Sequence, residues 1–174
     1  KACFSSDEDA AFEKSYEIDL SSIVPIVAKP HFVDNVCLAK EAAGVKIDEA
    51  FLGSCNNGRI EDLRVGAALI KGKKVHPLVR FLVVPASQSI YEEALKEGIL
   101  QTFMEAGAIV MNPNCSVCWG SCQGVIGEGE TLISTGTRNF KGRAGHKDSY
   151  VYLASAATVT ASAIKGEIAT ADSL

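Results

Sequence analysis

Three cysteines sit where they could do chemistry. Cys55 lies in Gly53-Ser54-Cys55-Asn56-Asn57-Gly58-Arg59, and Cys115 and Cys118 lie in Asn114-Cys115-Ser116-Val117-Cys118. A C-x-x-C pair and one distant cysteine supply three thiolates. A cubane iron–sulfur cluster has four irons and is normally held by four cysteines. Three donors would leave one iron with an open position, a Lewis acid able to hold a hydroxyl and a carboxylate. C-x-x-C alone is equally the mark of a zinc knuckle or a redox pair, and Cys122 or His146 would complete a zinc site. On spacing alone the two metals weigh the same. The Gly, Asn and Ser beside each cysteine favour the cluster, because they leave backbone N–H groups free to point at sulfides. Cys3 and Cys37 have no companions and read as structural.

A second constellation is Thr137-Arg138-Asn139-Phe140-Lys141-Gly142-Arg143. Arg138 and Arg143 flank an aromatic and a glycine and can present guanidinium forks to carboxylates. In isolation this is a basic surface turn. Beside a Lewis-acidic iron, carboxylate clamping is the better account. His31 and His76 read as structural and loop residues, and His146 follows the arginine pair. Glu128 and Glu130 alternate with Gly127 and Gly129 as in a turn, and the order does not fit a dinucleotide fingerprint.

The surrounding elements must bring these loops together. Residues 1–15 form a polar lead-in to a domain over 16–174. Tyr16–Leu20 alternates like a half-buried strand, 23–36 reads as irregular around Pro25 and Pro30, and Asp34–Ala43 reads as a short helix. Ile47–Leu52 is a strand running into the Cys55 loop, and Asn57 is the expected cap of a helix over Arg59–Lys71. Further strands are expected at Phe81–Val84, Ala108–Met111, Thr131–Thr135 and Tyr150–Leu153. Helices are expected from Ser87 or Ser89 through Lys96, over Leu100–Ala106, and over Ser155–Ile164. Strands alternating with helices predict an α/β domain with a largely parallel sheet. Cys55 and Cys115 both fall just past a strand end, where such sheets bind ligands.

Composition narrows the class. The 174 residues are 47% hydrophobic and 22% charged, which suits one globular domain with a real core. A net charge of −4 gives no reason to expect nucleic acid. No apolar run approaches the roughly 20 residues of a membrane span. Six cysteines beside abundant core residues point to thiols in a reducing cytoplasm. The chain starts at Lys1 with no initiator methionine, which fits processing, a cloned domain or a proteolytic fragment, and a longer native polypeptide is the expectation.

The motifs 53–64, Asn112-Pro113-Asn114-Cys115-Ser116-Val117-Cys118, Arg138–His146 and Val151-Tyr152-Leu153-Ala154-Ser155 occur in that order. From about residue 16 to 168 the chain resembles the aconitase superfamily. Within it, the match is to the third domain of the large subunit of 3-isopropylmalate dehydratase and homoaconitase-type hydro-lyases. The resemblance implies a three-layer αβα domain and a [4Fe–4S] cluster held by Cys55, Cys115 and Cys118. It implies that Arg138 and Arg143 bind substrate carboxylates. The implied reaction is a dehydration and rehydration that moves a hydroxyl between adjacent carbons of a di- or tricarboxylate, as in leucine biosynthesis.

It also implies missing parts: the remaining domains of the large subunit, which carry catalytic His and Asp residues, and a small swivelling subunit with the serine base. No catalytic residue is therefore assigned within this chain, which is expected to be inactive alone. A cluster left exposed is expected to be lost on aerobic preparation. Two departures stand out. Thr137 replaces the usual Asn, and Ser116-Val117 replaces the usual Gly-Pro, with Trp119 and the extra Cys122 following. Homoaconitase, aconitase and dimethylmalate dehydratase remain open, with Cys122 as a possible rival for the open iron. Outside enzymes, the alternative is a zinc or redox thiol module.

Overall fold

Short apolar runs, several of them closed by Gly or Pro, build the sheet. The computed structural model describes residues 4–174, so Cys3 lies outside it. Seven strands form one sheet: β1 (Ile26–Ala28), β2 (Val36–Leu38), β3 (Glu49–Leu52), β4 (Arg80–Val83), β5 (Ile109–Val110), β6 (Thr131–Ser134) and β7 (Tyr150–Leu153). Their order is β2-β1-β7-β6-β3-β4-β5. β7, β6, β3, β4 and β5 run parallel, while β1 is antiparallel to both neighbours.

The four helices are α1 (Ile60–Ile70), α2 (Gln88–Lys96), α3 (Ile99–Ala106) and α4 (Ala156–Lys165). Ser87 and Ser155 cap α2 and α4 through their hydroxyl oxygens. At α1 the Asp62 carboxylate accepts from the Arg59 N–H at 3.2 Å. Asn57, the expected cap, is engaged elsewhere.

Handedness decides which face each connection covers. The chain steps from β3 to β4 to β5 in one direction, so right-handed crossovers put α1, α2 and α3 on one face. α4 joins them there, against α1 and β3. Ala50, Leu52, Phe81, Val83 and Ile133 of the sheet meet Leu63, Ile70, Phe103 and Val159 in this core. From β5 to β6 the chain reverses across β4 and β3, so the same handedness puts 111–130 on the opposite face. The 135–149 connection follows in the same sense. There Phe51, Leu82, Leu132 and Val151 are covered by Met111, Val117, Ile126 and Ala144. The domain is thus α/β with a largely parallel sheet, flanked by a helical layer and a layer of long connections.

The amino-terminal third departs from the sequence expectation. Tyr16, Ile18 and Leu20 are exposed; no strand forms over 16–20, and a 3-10 turn (Leu20–Ser22) begins at its end. Alternation makes a strand only where a partner edge is available, and this segment pairs with none. The expected helix over 34–43 is instead β2 followed by turns, paired with β1 in a hairpin whose loop is closed by Lys29 N–H to Asn35 O at 2.8 Å. The 23–36 stretch is thus less irregular than its prolines suggest. Among the described residues no helix is long and apolar enough to cross a membrane.

Gly66 sets the distance between α1 and its neighbours. A Cβ there would lie 2.9 Å from Leu52 Cδ2, 2.9 Å from Phe103 Cζ and 3.0 Å from Thr160 Oγ1. Gly66→Ala gains about 1 kcal/mol of helix propensity. It forces overpacking worth about 1–3 kcal/mol. The expected outcome is a lower urea midpoint at unchanged m-value. A raised midpoint would show that the three neighbours yield freely.

Candidate functional site

Parallel strands deliver their following loops to one end of the sheet. The Cys55 loop follows β3, the Cys115–Cys118 segment follows β5, and the arginine loop follows β6. All three therefore start at the carboxyl edge.

Thr135, the first residue past β6, ties this edge together. Its buried hydroxyl accepts from Gly53 N–H at 3.0 Å and donates to Gly53 O at 2.5 Å. Its carbonyl accepts from the Asn57 side-chain amide. Gly58 N–H closes the Cys55 loop on Ser54 O at 2.8 Å. The loop is thus braced at both ends, with Cys55 exposed between the braces and lining a groove with Arg59, Ala86 and Ser87.

The second loop is built by a buried wedge. Ser116 and Val117 are almost fully buried, while Cys115 is exposed and Cys118 half-buried. Cys118 N–H donates to Cys115 O at 3.1 Å in a 3-10 turn (Ser116–Cys118). Residues three apart eclipse in such a turn, so the two cysteines rise on one side. The Ser116 hydroxyl donates to Gln123 O at 2.8 Å, and Asn114 Oδ1 accepts from Ser116 N–H. Asn57, Asn114 and Ser116, whose types suggested free N–H groups near the thiols, serve as braces of their own loops.

The loops meet at the end of β6. Cys118 Sγ lies 3.9 Å from the point where a Cβ on Gly136 would stand. Gly136 adjoins the same Thr135 that braces the Cys55 loop. The arginine loop is packed against the C-x-x-C segment through Gly120, at a left-handed φ of 79°, where a Cβ would fall 2.1 Å from Arg143 O. The connections are also bridged at Ile126 and Gly145.

The two arginines differ. Arg138 is exposed, and its Nη1 donates back to Thr137 O at 2.6 Å. Arg143 is half-buried, with its guanidinium carbon 5.4 Å from the centre of the Phe140 ring. Its Nε–H is buried and has no acceptor among the described residues. Neither makes an ion pair among the described residues. Between them Asn139, 1% exposed, donates to Lys29 O at 2.8 Å and Phe32 O at 3.2 Å, pinning the arginine loop to the β1–β2 turn.

Cys122 is exposed, and Cys37 belongs to β2. His146 Nδ1 accepts from Asp148 N–H at 3.2 Å, His76 Nδ1 from Leu78 N–H at 3.3 Å, and His31 stacks on Tyr150. Among the described residues no three His, Cys, Asp or Glu side chains gather closely enough to hold one metal ion. A zinc site needs four donors in a single coordination sphere. A cubane takes its thiolates on separate corners, each on its own iron. Three free thiols on two loops, Cys55, Cys115 and Cys118, match the number and type of donors that leave one corner of a cubane open.

Sequence reasoning missed Thr135 and Asn139, because neither residue type signals a long-range brace. It also missed Arg80, whose guanidinium joins Glu49 and Glu130. The signal there was the acidic pair Asp48-Glu49 at the head of an otherwise apolar strand.

The model of the Aconitase family (aconitate hydratase) matches residues 38–166. The large subunit 2 of 3-isopropylmalate dehydratase from Archaeoglobus fulgidus is 49% identical over 164 residues, 94% of this chain and 39% of that protein. The Aquifex aeolicus large subunit is 53% identical over 174 residues, 97% of this chain and 40% of the relative. The Moorella thermoacetica large subunit is 50% identical over 166 residues, 95% and 39%. The chain spans about two fifths of the length of the curated relatives it matches.

Thr135→Val keeps the shape but strands both backbone groups of Gly53. A loss of about 1–3 kcal/mol is expected in urea unfolding. Cys55 should also alkylate with altered kinetics relative to Cys115. Unchanged stability would show that Gly53 finds other partners.

Proposed function

The chain belongs to the aconitase family, and from that premise we propose that it is the cluster-binding part of a hydro-lyase acting on a hydroxy di- or tricarboxylate. The first substrate to test is 3-isopropylmalate, the substrate named in its relatives. The holders of a [4Fe–4S] cluster would be Cys55, Cys115 and Cys118, one thiolate per iron. When bound, the cluster supplies a Lewis-acidic iron with an open position for a hydroxyl and a carboxylate.

The chain's own residues supply the anion site. The observation that carries this reading is the buried, unpartnered Nε–H of Arg143, next to a loop packed on the C-x-x-C turn. Buried donors are normally satisfied, and a carboxylate oxygen would satisfy this one with a charge-assisted bond. Phe140 supports the guanidinium from one side, which fixes its plane. Arg138, exposed and hydrogen-bonded among the described residues only to its neighbour's carbonyl, can take a second carboxylate. Two forks on one loop orient a dicarboxylate, and orientation contributes rate as well as affinity.

No residue of this chain is assigned as the base that removes the proton. That group, and the cover that excludes water, belong in this reading to the rest of the large subunit and to a small subunit. The free thiols suit a reducing compartment such as the cytoplasm.

Anaerobic reconstitution should load four irons and four sulfides per chain. Cys55→Ser should abolish loading, while Cys122→Ser should leave it unchanged. One zinc per chain, retained in Cys55→Ser, would sink the proposal in favour of a zinc module. In the assembled enzyme, Arg143→Gln should raise KM for the carboxylate substrate by about 10- to 100-fold, the scale of one charged hydrogen bond. The isolated 174-residue chain should show no turnover.

A further inference from the structure

At the opposite end of the sheet from the thiols, one guanidinium joins two carboxylates. Glu49 is fully buried at the start of β3. Its Oε2 accepts from Arg80 Nε–H at 2.9 Å, and its Oε1 has no partner among the described residues. Arg80 Nη1 and Nη2 donate to the two oxygens of Glu130 at 2.9 and 2.8 Å. Glu130 Oε2 also accepts from Gly127 N–H at 2.7 Å. Arg80 thus clips the far end of the 111–130 connection to β3 and β4.

The same connection is the lid over Glu49. At Gly124 the backbone runs so close to the sheet that a Cβ would fall 2.1 Å from Leu82 Cδ1 and 3.5 Å from Glu49 Oε1. Next to it, Gln123 O receives the Ser116 hydroxyl, which staples the lid to the turn holding Cys115 and Cys118. Lifting the lid at 124 would pull on that staple.

We propose that Glu49, Arg80 and Glu130 form a proton-governed clamp. With Glu49 protonated, the 111–130 connection lies down on the sheet; with Glu49 ionised, it lifts and loosens the C-x-x-C turn. Arg80 is here a positioning residue for the thiol loop, and the clamp is independent of which metal the thiols hold. The charged groups facing Glu49 are Arg80 from β4 and Glu130 from the connection. β6 presents Leu132 in register with it, and Asp48 is occupied by the Thr131 N–H at 2.8 Å.

The direction follows from burial. With the lid down, burial pushes the Glu49 carboxyl from its ordinary 4.5 up to about 7, against the downward pull of Arg80. Arg80 holds Glu130 below the usual range. Lifting the lid readmits water and returns Glu49 toward its ordinary value. The covered form therefore binds the proton more tightly and is favoured at low pH. Its advantage shrinks as pH rises from about 4.5 to about 7, and is flat above.

Hydrogen exchange on the 174-residue chain tests this. Protection factors over 124–130 should fall by about a hundredfold between pH 5 and 7.5 and then level off. Alkylation of Cys118, taken relative to Cys55, should rise over the same range. In Glu49→Gln both readouts should be flat. A flat wild-type profile, or an equal fall in Glu49→Gln, would overturn the clamp. Should Glu49→Gln fail to fold, carbon-13 titration of the wild-type Glu49 carboxyl decides: a midpoint near 7 supports the clamp, and one below 5 overturns it.

Discussion

One buried hydroxyl holds the working edge of this domain together. Thr135 Oγ1 engages both the N–H and the carbonyl of Gly53, so the start of the Cys55 loop and the end of β6 share a single junction. Without it, two polar backbone groups would sit in a region that excludes water. Cys118 approaches from the third side, next to Gly136. The convergence of the thiol loops therefore rests on a neutral hydrogen-bond pair inside the sheet edge. The thiols themselves remain outside it and available.

That junction depends on how the chain distributes its connections. The helices and the sheet face beneath them form the larger apolar core. The other face is covered by two connections that anchor themselves with single residues, Val117, Ile126 and Ala144 among them. Each anchor leaves its neighbours free to point outward. Cys115, Cys118, Arg138 and Arg143 all sit beside such anchors or braces. The helical layer makes the sheet rigid, and the connection layer uses that rigidity to aim side chains.

Much of this was legible in the sequence, for physical reasons. Strands β3, β4, β6 and β7 are apolar runs that end in turn residues, and the Ser and Gly stops around α2, α3 and α4 mark them directly. The C-x-x-C pair and the arginine pair declare their chemistry by type. What could not be read is long-range. The hairpin of β1 and β2 forms only because β7 offers β1 an edge, so local propensity misread 34–43 as a helix. Tyr16–Leu20 has the right alternation and no partner strand. Asn57 looks like a helix cap, yet the Thr135 carbonyl outcompetes the helix end for it. Glu49 gives a single hint, a charge at the head of an apolar strand, and its counterparts are found only once β4 and the 127–130 turn fold beside it.

Placing every helix on one side of the sheet has an evolutionary corollary. The cooperative core that must survive mutation is segregated from the surface that determines what is bound. Substitutions at Ser116 or Val117 can accumulate on the connection side without touching the α1–α4 packing. A fold divided this way can change what its loops bind while its foldability stays under separate selection.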